Sequence, residues 1–163
     1  YGEGINRMIL IQRPGETLLE IDFVLLDFEG ALALDRRVHP KAKDKINLLS
    51  KRTKIYILTK AEEEDIGDIL KKLQAEVIYL KEGKASERKL DLLRHLGAKR
   101  SVAIGNGVDD APMMEEAGLG ICILGKEGAS AEALKKADVV VTNIVDALDF
   151  LLKPFRQKAT LGL

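Results

Sequence analysis

Apolar and polar positions follow one another along this chain in two rhythms. Short continuous apolar runs, rich in β-branched residues, occur at 23–26, 55–58, 77–80, 102–104, 119–124 and 139–141. Each is too short for a helix and too uniformly apolar for a strand with one wet face. Such runs predict strands covered on both sides, as in a parallel sheet. Between them lie stretches with helical spacing. The segment 41–52 sets Ala42, Ile46 and Leu49 on one face, and 61–73 does the same with Ile66, Ile69, Leu70 and Leu73. The segment 86–96 presents Leu90, Leu93 and Leu96, with Ser86 as its expected cap. Asp110-Ala111-Pro112 reads as a helix start, because proline is tolerated in the first turn. Segments 130–137 and 144–152 complete the set. Strand and helix in alternation predict an α/β fold: a doubly wound, mainly parallel sheet with right-handed crossovers.

The two ends differ. Segments 8–12 and 16–20 flank Arg13-Pro14-Gly15, a turn signature, and predict a β-hairpin leading into the first buried strand. The tail after Lys153-Pro154 predicts a short helix packed across an end of the molecule.

Composition narrows the function. The 163 residues suffice for one domain with its own core. Lys+Arg and Asp+Glu number 26 each, so no global field recruits nucleic acid. The chain has no Trp, and its few Tyr and Phe are scattered, which argues against a base-stacking surface. The lone cysteine, Cys122, rules out an internal disulfide and reads as a buried strand residue. No apolar run has the length of a membrane span and no signal-peptide pattern opens the chain. The expectation is therefore a cytoplasmic protein with neither a membrane nor a nucleic-acid partner.

In a doubly wound sheet, ligands bind beyond the carboxyl ends of the strands. The polar residues that follow each strand are therefore the candidates. Asp27, Glu29 and Gly30 follow the first, Thr59 and Lys60 the second, and Asn106, Asp109 and Asp110 the fourth. Lys84 and Lys89 stand after the third. Each has a bland alternative. An Asp after a strand is usually a turn residue, Thr59 could cap the next helix, and Gly105-Asn106-Gly107 alone would be a tight turn. Met113 and Met114 read as core filling, and His39 as a surface turn residue. The joint placement of carboxylates, a hydroxyl and a lysine on one edge is what suits phosphate chemistry with a hard cation. Mg²⁺ prefers oxygen ligands, an aspartate can be a covalent nucleophile, and a hydroxyl and an ammonium can hold phosphoryl oxygens.

Four segments in order also resemble a known family. Val24-Leu25-Leu26-Asp27-Phe28-Glu29-Gly30 resembles the first motif of the haloacid-dehalogenase superfamily. Ile57-Leu58-Thr59 resembles the second motif and Glu87-Arg88-Lys89-Leu90 the third. The run from Ile104 to Pro112 resembles the fourth, in the form found in P-type ATPase phosphorylation domains. The resemblance spans roughly residues 23–160 and is nearest to small stand-alone, soluble P-type-ATPase-like phosphatases. It implies a single core domain, 1–163, with the hairpin (1–22) as an N-terminal extension. It also implies a Rossmann-like three-layer sandwich and no cap domain, since only about one helix separates the first two motifs. The implied activity is a Mg²⁺-dependent phosphatase working through an aspartyl-phosphate. Asp27 would be the nucleophile and Glu29 the acid/base. Thr59, Lys60, Lys89 and Gly30 would contact the phosphoryl group, with Lys89 rather than Lys84 as the motif lysine. Asp27, Glu29 (through its carbonyl), Asn106, Asp109 and Asp110 would supply the metal set. The implied partner is a phosphorylated small molecule or a larger phospho-substrate, with room for a homo-oligomer.

Three positions depart from the family pattern. Glu29 stands where Asp is usual, Ala31 where Thr is usual, and Asn106 where the first Asp of the fourth motif would ligate metal. They motivate a rival reading: a catalytically degenerate domain that binds a phospho-ligand or a protein partner. A flavodoxin-like receiver would share the sheet but would want an acidic pair at the end of the first strand, and the run at 23–26 has none.

Overall fold

The computed structural model describes residues 8–162. At its centre lies a six-stranded, wholly parallel sheet. Its strands are β3 (Phe23–Asp27), β6 (Lys54–Thr59), β7 (Glu76–Tyr79), β8 (Ser101–Gly105), β9 (Leu119–Ile123) and β10 (Val139–Val141). They lie in the order β10-β9-β8-β3-β6-β7. From β3 the chain winds outward through β6 to β7. It then returns to β8 and winds the other way to β9 and β10. The direction reverses between β3 and β8, and that switch point is where such sheets open a crevice.

Strand alternation feeds two cores. One face of β3 presents Val24 and Leu26, which join Ile55, Ile57, Ile104 and Ile121. These pack under α1 (Pro40–Leu49), α2 (Glu63–Leu70) and α6 (Ile144–Leu152). The other face presents Leu25 with Tyr56, Leu58, Ala103 and Cys122, under α3 (Ala85–Leu96), α4 (Ala111–Glu116) and α5 (Ala131–Lys136). The doubly wound three-layer sandwich expected from the pattern is therefore present. Met113, Met114 and Cys122 are fully buried in this second core, as expected.

The N-terminal hairpin is β1 (Ile9–Ile11) against β2 (Leu19–Ile21), with Ile9 opposite Ile21. Residues 1–7 of the extension assigned to 1–22 lie outside the described residues, as does residue 163. The hairpin buries Ile9, Ile11 and Ile21 in the first core. It is tied to the amino ends of the strands, where Asp22 N–H donates to the Arg100 carbonyl at 2.9 Å and Lys54 N–H donates to the Asp22 carbonyl at 2.8 Å. The tail forms α7 (Pro154–Leu161), held to α6 by the buried Gln157 amide, which donates to the Phe150 carbonyl at 2.9 Å.

One local expectation is corrected. Helix α3 starts at Ala85, with Lys84 at the cap and no side-chain cap bond, so Ser86 lies inside the first turn. The apolar pattern assigned no element to the stretch between the first motif and α1. That stretch folds into a second small hairpin, β4 (Ala33–Leu34) with β5 (Arg37–Val38). Its turn residues Asp35 and Arg36 both have positive φ, 51° and 62°. That is the geometry of a two-residue hairpin turn, made here without the usual Asn-Gly or Gly signal.

Candidate active site

Asp27 is the last residue of β3, and alternation aims it at the side covered by α3. From that helix Lys89 reaches down, and from the 3-10 turn Val108–Asp110 after β8 comes Asp110. The Lys89 ammonium donates to Asp27 Oδ1 at 2.8 Å and to Asp110 Oδ1 at 2.7 Å. Asp27, Lys89 and Asp110 are only 6%, 2% and 1% exposed. Lys84, the rival lysine, is exposed. Asp110 is itself anchored, because its Oδ2 accepts from the N–H groups of Asn106 and Gly107, both at 3.0 Å. The carboxylate thus shapes the turn that carries it.

Two carboxylates share one ammonium here, so the formal charge of the trio is −1. Burial, and then the Asp110 charge, push the Asp27 carboxyl well above the ordinary carboxylate range against the pull of Lys89. Burial alone would lower the Lys89 ammonium, but its two carboxylate partners outweigh that and raise it. The trio favours an added positive charge. Asp27 Oδ2 takes no hydrogen bond among the described residues. Since no fully buried side-chain oxygen there lacks a partner, Oδ2 is the atom that reaches solvent.

Beside this trio, Thr59 ends β6, the next strand over. Its hydroxyl accepts from Ala61 N–H at 3.0 Å and donates to Glu29 Oε1 at 2.6 Å. Lys60 N–H donates to the same oxygen at 2.8 Å. Thr59 therefore makes a local turn but does not cap α2, which begins at Glu63 behind Glu62. The Lys60 ammonium crosses to Asp109 Oδ2 at 2.5 Å, so Asp109 faces Lys60 while Asp110 faces Lys89.

Gly30 and Asn106 form the opposite wall. Asn106 is 9% exposed and its amide donates to the Gly128 carbonyl at 3.2 Å, while its Oδ1 takes no hydrogen bond among the described residues. Gly30 has φ +82°, and a Cβ there would sit 2.5 Å from Asn106 Nδ2, 3.0 Å from Asn106 Oδ1 and 2.7 Å from Glu127 Oε2. The positive φ favours glycine there, and any side chain would also have to push the ends of Asn106 and Glu127 aside. Glu127 was not foreseen. It lies in the tight turn closed by the Gly125–Gly128 bridge and no motif marks it. Ala31 is buried and His39 caps α1 through Nδ1, which accepts from Lys41 N–H at 3.0 Å.

Two oxygens of this region take no hydrogen bond among the described residues, Asp27 Oδ2 and Asn106 Oδ1, while both oxygens of the buried Asp110 are already engaged. That set suits a hard divalent cation completed by water and a substrate phosphate. Among the described residues no group of three or more His, Cys, Asp and Glu is placed to hold a metal ion by itself, so an amide oxygen, a backbone carbonyl, water or substrate would have to complete any such site. No described helix is long and apolar enough to cross a membrane.

No protein-family model matches the chain. The uncharacterized protein MJ0073 of Methanocaldococcus jannaschii is 48% identical over 62 residues, covering 38% of this chain and 67% of that protein. Among solved structures, a Legionella pneumophila protein described as a HAD superfamily (subfamily III A) hydrolase superposes with a TM-score of 0.68. The identity is 19%, with 86% of each chain covered. The 3-deoxy-D-manno-octulosonate 8-phosphate phosphatase of Moraxella catarrhalis, solved with magnesium and phosphate ions, superposes at 0.69 and 15% identity, covering 87% of this chain and 92% of that one. The chain thus belongs to one family with MJ0073, and its fold is that of the haloacid-dehalogenase (HAD) superfamily hydrolases.

Proposed function

We propose that this protein is a Mg²⁺-dependent phosphatase in which Asp27 is the nucleophile, acting on phosphomonoesters through an open, uncapped site. The observation that carries this reading is the buried Asp27–Lys89–Asp110 trio at the switch point, with one Asp27 oxygen left outward beside the Thr59 and Lys60 donors. The phosphatases among the fold neighbours support it by analogy.

In this reading Asp27 Oδ2 attacks phosphorus and the ester oxygen leaves, giving an aspartyl-phosphate. Lys89, the Thr59 hydroxyl and Lys60 N–H hold the non-bridging oxygens as charge builds on them. Glu29 gives a proton to the leaving oxygen and then takes one from the water that hydrolyses the intermediate. Asp27, the Glu29 carbonyl, Asn106 and Asp110 would hold Mg²⁺, with Asp109 beside them, and the ion would neutralise phosphoryl charge. Asn106 supplies an amide oxygen where a carboxylate is usual, so Mg²⁺ affinity is expected to be lower than with two free carboxylates.

The test is hydrolysis of an aryl phosphate with Mg²⁺. Wild type turns over and Asp27→Asn loses on the order of a thousandfold or more. Chelation of the divalent cation abolishes turnover. Activity that survives Asp27→Asn would sink the mechanism. Metal-dependent phosphate binding without turnover would favour the degenerate binding domain.

A further inference from the structure

Glu29 carries more than its place in proton transfer. We propose that its carboxylate is an internal occupant of the phosphoryl-oxygen seat made by Thr59 and Lys60. The substrate phosphoryl group displaces it, and displacement frees Glu29 to act as the acid. This rests on the phosphoryl-transfer reading of the site.

The seat is a pair of convergent donors at the end of β6. The Thr59 hydroxyl has one proton, and its orientation is fixed because the oxygen already accepts from Ala61 N–H at 3.0 Å. That proton goes to Glu29 Oε1 at 2.6 Å, with Oε2 at 3.2 Å, and Lys60 N–H converges on Oε1 at 2.8 Å. A hydroxyl and a peptide N–H aimed at one anionic oxygen make the arrangement that holds a phosphate oxygen. A carboxylate satisfies it equally well.

The rest of the segment says which part can move. The Glu29 backbone is pinned by its bridge to Ala33, by Leu32 N–H on the Asp27 carbonyl at 3.1 Å, and by Gly30 N–H on the Ala33 carbonyl at 3.0 Å. Its side chain, by contrast, is exposed and packs against no core. Only the χ angles need change. In the seated pose Oε1 accepts from both donors and the carboxylate carries no proton for a leaving oxygen; swung away, it can take the proton of a phosphomonoester monoanion and pass it to the leaving oxygen. The extra methylene of Glu over Asp gives the reach to Thr59. After turnover, the returning carboxylate competes with product phosphate for the same donors, which favours product release.

The test is calorimetric titration of inorganic phosphate, with Mg²⁺ present, into wild type, Glu29→Asp and Glu29→Ala. Aryl-phosphate hydrolysis and its inhibition by phosphate are measured alongside. Both variants are expected to bind phosphate about tenfold more tightly than wild type, the equivalent of one charge-assisted hydrogen-bond contact no longer contested. In Glu29→Asp the inhibition constant for product phosphate falls by the same factor as the dissociation constant, whatever the change in kcat. Glu29→Ala lowers KM and kcat together. The Asp variant decides, because it keeps the negative charge and loses only the reach. Tighter binding in Glu29→Ala but not in Glu29→Asp means simple charge repulsion and overturns the proposal, as does unchanged or weaker binding in both. A wild type that hydrolyses nothing sinks the phosphatase reading alone. The phosphate titration needs no turnover and still decides who holds the seat.

Discussion

Lys89 is the side chain on which the site's electrostatics turn. It is buried, and its ammonium is the cation shared by Asp27 and Asp110. Lys89→Met leaves two carboxylates close together without it, and is expected to cost about 3–5 kcal/mol of stability at neutral pH. The pH dependence gives the signature. The Asp27 carboxyl is already raised by burial and by Asp110. A carboxyl raised in the folded state contributes stability that is fully present below its unfolded value and lost as pH rises through the folded one. Removing Lys89 raises it further. Urea unfolding of Lys89→Met should therefore show stability falling more steeply than wild type between about pH 4 and neutrality; a parallel profile would refute the shared-cation picture. Asp27→Asn works the other way. It removes a carboxylate held at a cost, so without divalent cation its Tm should equal or exceed wild type while its activity is lost. At this scale the sequence was legible for identities but not for poses. The pattern singled out Asp27, Thr59, Lys89 and Asp110, and the structure brings Asp27, Lys89 and Asp110 together. It could not tell that Glu29 would bend onto Thr59 or Asp109 onto Lys60, because a rotamer is chosen by neighbours far apart in sequence. Glu127 was silent for the same reason.

Elements were legible wherever burial imposed a period. All six runs of the parallel sheet are strands; β3, β6, β8 and β9 are covered on both faces, while the edge strands β7 and β10 are partly exposed, Val140 by 48%. The β4–β5 hairpin was not legible, because its turn is made by Asp35 and Arg36 rather than by glycine. One element junction offers a separate test. Asp149 on α6 is paired with Lys45 of α1 at 2.6 Å, and with Lys153 and Arg156 at the start of α7, both at 3.6 Å. Burial opposes ionisation of Asp149, but the Lys45 hydrogen bond and the surrounding cations outweigh it and hold the carboxyl below its ordinary value. A depressed carboxyl contributes stability above its unfolded value and loses it as pH falls through the folded one. Asp149→Asn should therefore cost about 1–2 kcal/mol at pH 7, and the difference from wild type should shrink in acid. Chemical denaturation at pH 7 and pH 3 would show it. A gap independent of pH would mean that packing, not charge, holds the α1–α6–α7 corner.

Across the whole molecule, folding and chemistry sit at opposite ends of one sheet. The N-terminal hairpin closes the amino ends of the strands and the candidate site opens at the carboxyl ends. Ile21→Ala, at a fully buried position of the hairpin, should cost about 2–5 kcal/mol and leave kcat for an aryl phosphate within about twofold at a temperature where the protein is folded. A large kcat loss would show that the two ends are coupled. The two faces of the sheet are also unequal, and that inequality governs how the chain can change. The side under α1, α2 and α6 is packed with Ile, Leu and Val, whose volumes can be traded against one another. The side under α4 is thin. Ala103, Gly120 and Cys122 let the helix sit almost on the backbone, and a Cβ on Gly120 would lie 2.7 Å from the Met114 carbonyl oxygen. A saturation library screened for folded protein should find one face permissive and the other nearly closed, with Gly120→Ala among the variants lost. Drift in this lineage would then be channelled through one layer of the sandwich, while the layer that carries Lys89 and the Asp110 turn stays fixed by lack of room.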